Sequence, residues 1–317
     1  MRPVVAALGG GHGLAASLSA LRLMTDNLTA IVTVADDGGS SGRLRGELNV
    51  LPPGDLRMAL AALCDDSEWG TTWRDVMQHR FTSQGDLDNH ATGNLLIVTL
   101  WELLGDTVAG LDWVGRLLGA RGRVLPMSNV PLSIEADMKL GQECFTVSGQ
   151  SLVASTTGHV EHLRLIPENP PACPEAVDAV YSADWVVLGP GSWFSSVMPH
   201  LLVPELSEAL HQTKAKRCLT MNLGNADTET TGMAAADHLA ALRHHAPDLR
   251  IDAVLADPSS VEDSHALVAE AKQLGATVVF RQVRRGDGTA RHDSLRLAAA
   301  YQDVFDNFLG DVGTRSR

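Results

Sequence analysis

The sequence predicts an α/β fold: a doubly wound, mostly parallel sheet with helices on both faces and a small inserted antiparallel subregion. Three observations carry this expectation. An apolar run at residues 4–8 enters the glycine loop GGGHG and a leucine-spaced helical segment, and a second apolar run follows at 30–35. The same strand, turn and helix grammar returns after Ala183 and continues to Phe280. Between the two, residues 124–163 read as short alternating segments such as LSIEADM and SLVAST, the pattern of antiparallel strands.

Taken in order, VVAAL (4–8) has the unbroken apolar character of a strand buried on both faces. LAASLSALRLM (14–24) places leucines at helical spacing, and AIVTVA (30–35) is the next strand. PPGDLRMALAALC (52–64) opens with Pro and Asp, good helix-start chemistry, and GNLLIVTLWELLG (93–105) is a second apolar helix. Residues 183–192 read as a strand entering a glycine turn, 204–213 as a helix with Pro at its start, and 217–223 as a strand. Helix 234–245, strand 251–257, helix 261–275, strand 276–280 and a last helix at 294–308 complete the pattern. With no internal repeat, low-complexity tract or linker, one domain over 1–317 is expected. Its core would span about 4–283, and 284–317 would form a C-terminal helix and a tail frayed at GTRSR.

A chain of 317 residues with 44% hydrophobic content has ample material for a large core. Its formal net charge of −13 argues against nonspecific nucleic-acid binding, which needs concentrated Lys and Arg. A small anionic ligand in a local pocket remains compatible with it. Cys64, Cys144, Cys173 and Cys218 lie far apart with no CxxC pair, which argues against zinc and against a disulfide framework. The opening MRPVVAALGGG has too short an apolar run for a signal peptide. No run approaches the ~18 apolar residues of a membrane span. A cytoplasmic protein is expected.

Six stretches carry chemistry. In GGGHG, Gly9, Gly10, Gly11 and Gly13 allow a tight turn with exposed N–H groups before a helix, a favourable place for an anion, with His12 among them. Gly11, Gly13 and Ala16 also satisfy the looser dinucleotide pattern G-x-G-x-x-A, whereas no Lys-Ser/Thr follows to make a Walker loop. In TVADDGGSSGRLR, Asp36 and Asp37 sit where a ribose-binding acid belongs, followed by Gly38, Gly39, Ser40, Ser41 and Arg43. Adjacent carboxylates beside phosphate-binding amides also make sense around Mg²⁺, and an exposed turn with two solvated aspartates is the plain alternative. In LPPGDLR, Asp55 is placed to cap a helix or reach the same cation, and Arg57 to reach a phosphate. His90 and Asn94 flank a helix start, where a satisfied surface histidine and a capping asparagine are the plain readings. Gly189, Gly191 and Ser192 form another glycine turn after a strand; the motif is not G-x-S-x-G, so Ser192 reads as a hydrogen-bond donor rather than a nucleophile. Asn222 leaves a further strand end in MNLGNADTETTG. All converge on one sheet edge as a nucleotide-sized cleft.

These residues resemble a known family. ALGGGHGL, TVADDGGSSGRLR, LPPGDLR, GNLL, VLPMSNVPL, VLGPGSWFSSVMPHLLVP and MNLGNADTETTGM occur in the order seen in the gluconeogenesis-factor (YvcK-like) branch of the CofD-like superfamily, over roughly residues 4–256. The resemblance implies a Rossmann-like sheet with a cleft at the strand ends. In the enzymatic branch, a 2-phospholactyl group passes from a guanosine diphosphate-linked donor to a deazaflavin precursor with Mg²⁺. The gluconeogenesis-factor branch is associated with UDP-sugar binding, cell shape and envelope synthesis. Carried over by position, residues 9–13 would hold the diphosphate. Asp37, with Asp36 or Asp55 beside it, would be the metal or acceptor end. Pro126, Met127 and Ser128 match the LPMS signature. Gly189, Gly191 and Ser192 would form the facing wall, with Asn222 near the nucleoside. His12 stands where many relatives have Thr.

The leading expectation is a cytoplasmic UDP-sugar-binding regulator. The alternative is a Mg²⁺-dependent transferase in which Asp37 is the catalytic carboxylate and Asp37 and Asp55 hold the metal. A nicotinamide oxidoreductase rests only on G-x-G-x-x-A plus a strand-end acid and ranks last, so neither nicotinamide nor flavin is expected. A homodimer is the expected assembly, as the commonest closed one.

Overall fold

The structure is a computed structural model that describes residues 2–224 and 228–310. Asn225, Ala226 and Asp227 of the MNLGNADTETTG stretch and the tail expected to fray at 313–317 lie outside the described residues. The chain opens with β1 (Val5–Gly9), α1 (Gly11–Leu21) and β2 (Leu28–Val32). Five helices follow: α2 (Gly39–Leu48), α3 (Gly54–Leu63), α4 (Glu68–Gln78), α5 (Thr92–Leu104) and α6 (Thr107–Leu118). After β3 (Arg123–Pro126) come β4 (Ser133–Leu140), β5 (Glu143–Ser148), α7 (Gln150–Ser155) and β6 (His159–Ile166). The alternation resumes with α8 (Pro174–Ser182), β7 (Trp185–Leu188), α9 (Pro204–Gln212), β8 (Lys216–Thr220), α10 (Ala235–His245) and β9 (Ala253–Ala256). It ends with α11 (Ser264–Gln273), β10 (Thr277–Phe280) and α12 (Ser294–Gly310).

The large sheet has the order β10-β9-β8-β7-β1-β2-β3, and its pairings are parallel. Helices cover both faces, so β1 and β7 are buried at every residue, as their apolar runs require. The chain leaves β1 toward β2 and β3 on one side, then returns to β7 on the other. The β1–β7 junction is therefore a topological switch point, where a crevice opens beyond the strand ends. The two glycine loops, after β1 and after β7, both discharge there.

The C-terminal helix fixes one side of this crevice. Trp185 of β7 stacks on Phe305 of α12 with ring centroids 4.5 Å apart. The Tyr301 hydroxyl lies 2.8 Å from Ser17 Oγ on α1 and 2.9 Å from Thr220 Oγ1 on β8. A fully buried phenol with two hydroxyl partners avoids the desolvation cost of an unpaired one. Docked this way, α12 carries the segment before it to the mouth of the crevice.

Several elements differ from expectation. The GGSSGR stretch is the start of α2, not a turn; only Ser40, Ser41 and Leu44 of that helix face inward, so its apolar stripe is faint. Helices α4 and α6 were likewise without a predicted counterpart. β2 stops at Val32, three residues short of the expected strand end; just beyond it the Thr33 amide donates to Gly9 O and its hydroxyl to Ser196 O. The antiparallel excursion begins later than residue 124: β3 belongs to the parallel sheet, and the small sheet is β5-β4-β6. SLVAST is not a strand but α7. Among the described residues no helix is long and apolar enough to cross a membrane, and the four cysteines are free.

Candidate functional site

A cleft of about 540 Å³ lies at the switch point. Its floor is the β1–α1 loop. α1 begins at Gly11, with φ at +56°, and its first turn has neither an acidic residue nor a side-chain cap. The Gly11 N–H donates to Asp55, and the leading N–H groups after it are available to an anion. The facing loop after β7 approaches so closely that a Cβ on Gly13 would lie 2.5 Å from Gly191 Cα and collide with the Pro190 carbonyl. Only glycine fits at 13. Asn222, at the end of β8, holds the facing loop: its Oδ1 accepts from Gly191 N at 2.8 Å, and its Nδ2 donates to Gly191 O at 2.9 Å. Ser192 lines the cleft beside them.

Three buried polar atoms on the cleft wall have no partner among the described residues: Asp55 Oδ2, Gln150 Oε1 and His292 Nε2. Each such atom costs about 1–3 kcal/mol if left unmet. Asp55 stands in the first turn of α3 and accepts a hydrogen bond from the Gly11 backbone. A Cβ on Gly10 would fall 2.6 Å from its free oxygen, so glycine at 10 makes room for the carboxylate. Burial, reinforced by the nearby Asp36 carboxylate, pushes the Asp55 carboxyl up to about 7. Burial lowers His292 to about 4, so the ring is neutral at pH 7 and bonds the Met221 backbone. Arg285 and Arg291 add cationic groups to the same wall. They sit on a short antiparallel turn closed by the Arg284–His292 bridge and anchored by Asp257, whose Oδ2 accepts from Val283 N and Arg284 N.

The structure thus gathers Gly10, Gly11, His12, Gly13, Gly191 and Ser192 with Asn222 and Asp55. Gly9 closes β1 just behind, and Gly189 (φ +69°) begins the facing loop. The other predicted site residues line no part of this cleft. Asp36 Oδ1 accepts from Gly38 N, and Asp37 Oδ1 accepts from Ser151 N at the start of α7. Ser40 Oγ meets His90 Nδ1 and accepts from Asn94 Nδ2, while Asn94 Oδ1 accepts from Arg57 Nε. His90 is therefore a buried member of a network rather than a surface histidine, and Asn94 spans two side chains rather than capping α5. Gly39 and Ser41 belong to the first turn of α2. Arg43 donates to the carbonyls of Asp86 and Asp88. Met127 is buried at the end of β3, and Ser128 Oγ donates to Pro171 O. Sequence reading overlooked Gln150, Ser196, Arg285, Arg291 and His292. A signal existed for the last three: RRGDGTARH puts three arginines around a glycine turn in an acidic chain. Gln150 had none, because only α7's fold brings it across.

Three comparisons bear on this arrangement. The family model for 2-phospho-L-lactate transferase CofD matches residues 5–289. A putative gluconeogenesis factor of Mycobacterium tuberculosis is 50% identical over 313 residues, 96% of this chain and 91% of the relative. The gluconeogenesis factor of Bacillus subtilis is 35% identical over 317 residues, 96% of this chain and 98% of the relative. A crystal structure of a UPF0052-family protein from Bacillus halodurans superposes with a TM-score of 0.85 at 33% identity, covering 95% of this chain and 99% of that one.

Proposed function

The chain belongs to the gluconeogenesis-factor family, related to CofD, and from that premise we propose that it is a cytoplasmic UDP-sugar-binding regulator of carbon metabolism, cell shape and cell-wall precursor supply. The observation that carries the reading is the convergence of three orphaned buried polar atoms on a cleft that also holds a helix N-terminus and two arginines. The amides of α1 with Arg285 and Arg291 suit a diphosphate. Asp55, Gln150 and His292 suit hydroxyl and amide groups of a sugar or base, as groups whose unmet hydrogen bonds reject analogues that lack the partner. A ligand panel tests this. UDP-N-acetylglucosamine or UDP-glucose should raise the melting temperature, by ~2.7 kcal/mol of stabilisation at a hundredfold excess over Kd. NAD(H) and NADP(H) should not. Stabilisation by NAD(H) alone would overturn the reading.

One observation favours transferase chemistry as a second reading: Asp55, a buried carboxyl with a free oxygen near Asp36. A Mg²⁺ ion suits these two carboxylates when ligand phosphates supply further oxygens. Among the described residues no group of three His, Cys, Asp or Glu is placed to hold a metal by itself. This reading moves the metal from Asp37 to Asp36 and Asp55. It predicts GMP release from a guanosine-linked phospholactate donor mixed with a deazaflavin acceptor and Mg²⁺; absence of release removes it.

A further inference from the structure

A second concavity of about 500 Å³ lies between α1, α3 and α4, sharing His12, Ala15 and Ser19 with the cleft. Arg22, Arg57, Arg74 and Arg80 line it, and no Asp or Glu does. In a chain of net charge −13 this local excess of cations runs against the overall field.

The four arginines are not equally occupied. Arg22 is spent on a two-pronged pair with Asp66, at 2.8 and 3.1 Å. Arg74 makes a loose 3.7 Å contact with its sequence neighbour Asp75, which stays mostly exposed, and is attracted at longer range by Asp66. Arg80 donates to the Asn89 carbonyl, which leaves its charge uncompensated. Arg57 is 3% exposed; its Nε donates to Asn94, and its Nη1 is buried with no partner. Burial first and Arg80 second disfavour the Arg57 charge, with Asp55 and Asp36 offsetting part of this. Two like charges held together, one of them desolvated, are stabilised by an anion between them.

We propose that this groove binds a small phosphate-bearing ligand through Arg57, Arg74 and Arg80, as a second anion site beside the cleft. Guanidinium forks match phosphate oxygens in pairs, which suits this donor set better than it suits a single carboxylate. The shared stripe His12, Ala15 and Ser19 on α1 gives the two sites a common wall. The inference does not depend on what occupies the cleft.

The test is a calorimetric titration of the intact chain with inorganic phosphate, with line broadening in phosphorus NMR as a second readout. One saturable site is expected, weakening as KCl rises. Arg74→Gln and Arg80→Gln, both at partly exposed positions, should each weaken phosphate about tenfold. Arg291→Gln in the cleft should leave it unchanged. Unaltered affinity in both groove variants, loss in Arg291→Gln, or no saturation up to roughly 20 mM phosphate would each overturn the proposal. Failure of UDP-sugars to bind the wild type, with the phosphate results as stated, would remove the cleft reading and leave the groove.

Discussion

The loop after β1 and the loop after β2 start from the same ingredients, glycines and polar residues beyond a buried strand, yet they end in opposite states. The β2–α2 loop is satisfied from within. Asp36 and Asp37 accept backbone N–H groups of Gly38 and Ser151, Ser40 joins the His90–Asn94–Arg57 chain, and Arg43 and Arg45 are spent on carbonyls. Even its glycines serve packing: a Cβ on Gly42 would strike the Asp37 carbonyl, and one on Gly38 would lie 2.8 Å from Ser151 Oγ. The β1–α1 side is less satisfied: beyond the Gly11 amide held by Asp55, the first turn of α1 has no side-chain cap, and among the described residues Asp55 Oδ2, Gln150 Oε1 and His292 Nε2 have no partner. A motif rich in polar residues can thus be satisfied by its own neighbours, while the unmet polar groups gather elsewhere. The acidic loop ties α2 to α5 and α7, whereas unmet polar groups collect at the cleft.

Four variants test the contrast. Asp55→Asn bears most heavily on the less satisfied side. The native carboxyl is raised from 3.8 to about 7, so the folded state resists ionisation. Below about pH 4 both states carry the proton and no penalty exists; the penalty grows between pH 4 and 7 and is complete above. Asp55→Asn should therefore stabilise the chain at pH 8, by up to about 4 kcal/mol, and have little effect at pH 4. Urea melts across pH check it, and a pH-independent difference would contradict the burial argument. Next, Asn94→Ala should cost about 3 kcal/mol, because it strips the buried Arg57 of its one side-chain hydrogen-bond partner among the described residues. A loss below about 1 kcal/mol would mean these groups are not a connected network. Gly13→Ala should cost about 2 kcal/mol and sharply weaken nucleotide-sugar binding, since the loops cannot keep their approach. Unchanged binding there would separate the glycine loop from the cleft's function. Smallest, Asp37→Asn should cost about 0.5–1 kcal/mol and change nucleotide-sugar affinity less than twofold. A large affinity loss, or loss of a Mg²⁺ dependence, would return the acidic loop to the site.

Much of the fold was legible because parallel strands covered on both faces must be apolar throughout, and runs such as VVAAL and ADWVVL have that character. The glycine loops after β1 and β7 were legible for the same local reason: a strand that stops at glycine before a helix exposes its amides. α2 escaped notice because its inward face is two serines and one leucine, with no apolar stripe to read. α7 escaped because part of what starts it is remote: Asp37, 114 positions away in sequence, accepts the Ser151 amide. The same remoteness hid the partner of Asp37, which lies at the start of α7.

By itself, then, the sequence determined the layer architecture and the strand ends that carry glycine, and it singled out Asn222 and Asp55, which the fold brings to the cleft. Those follow from local periodicity and turn chemistry, which each segment carries on its own. Tertiary structure alone decided which polar groups remain without partners. Hydrogen-bond satisfaction is a property of pairs brought together by the fold. Thus it tied DDGGSSGR to its neighbours, delivered Gln150, Arg291 and His292 to the cleft, and left Arg57 Nη1 without a hydrogen bond among the described residues.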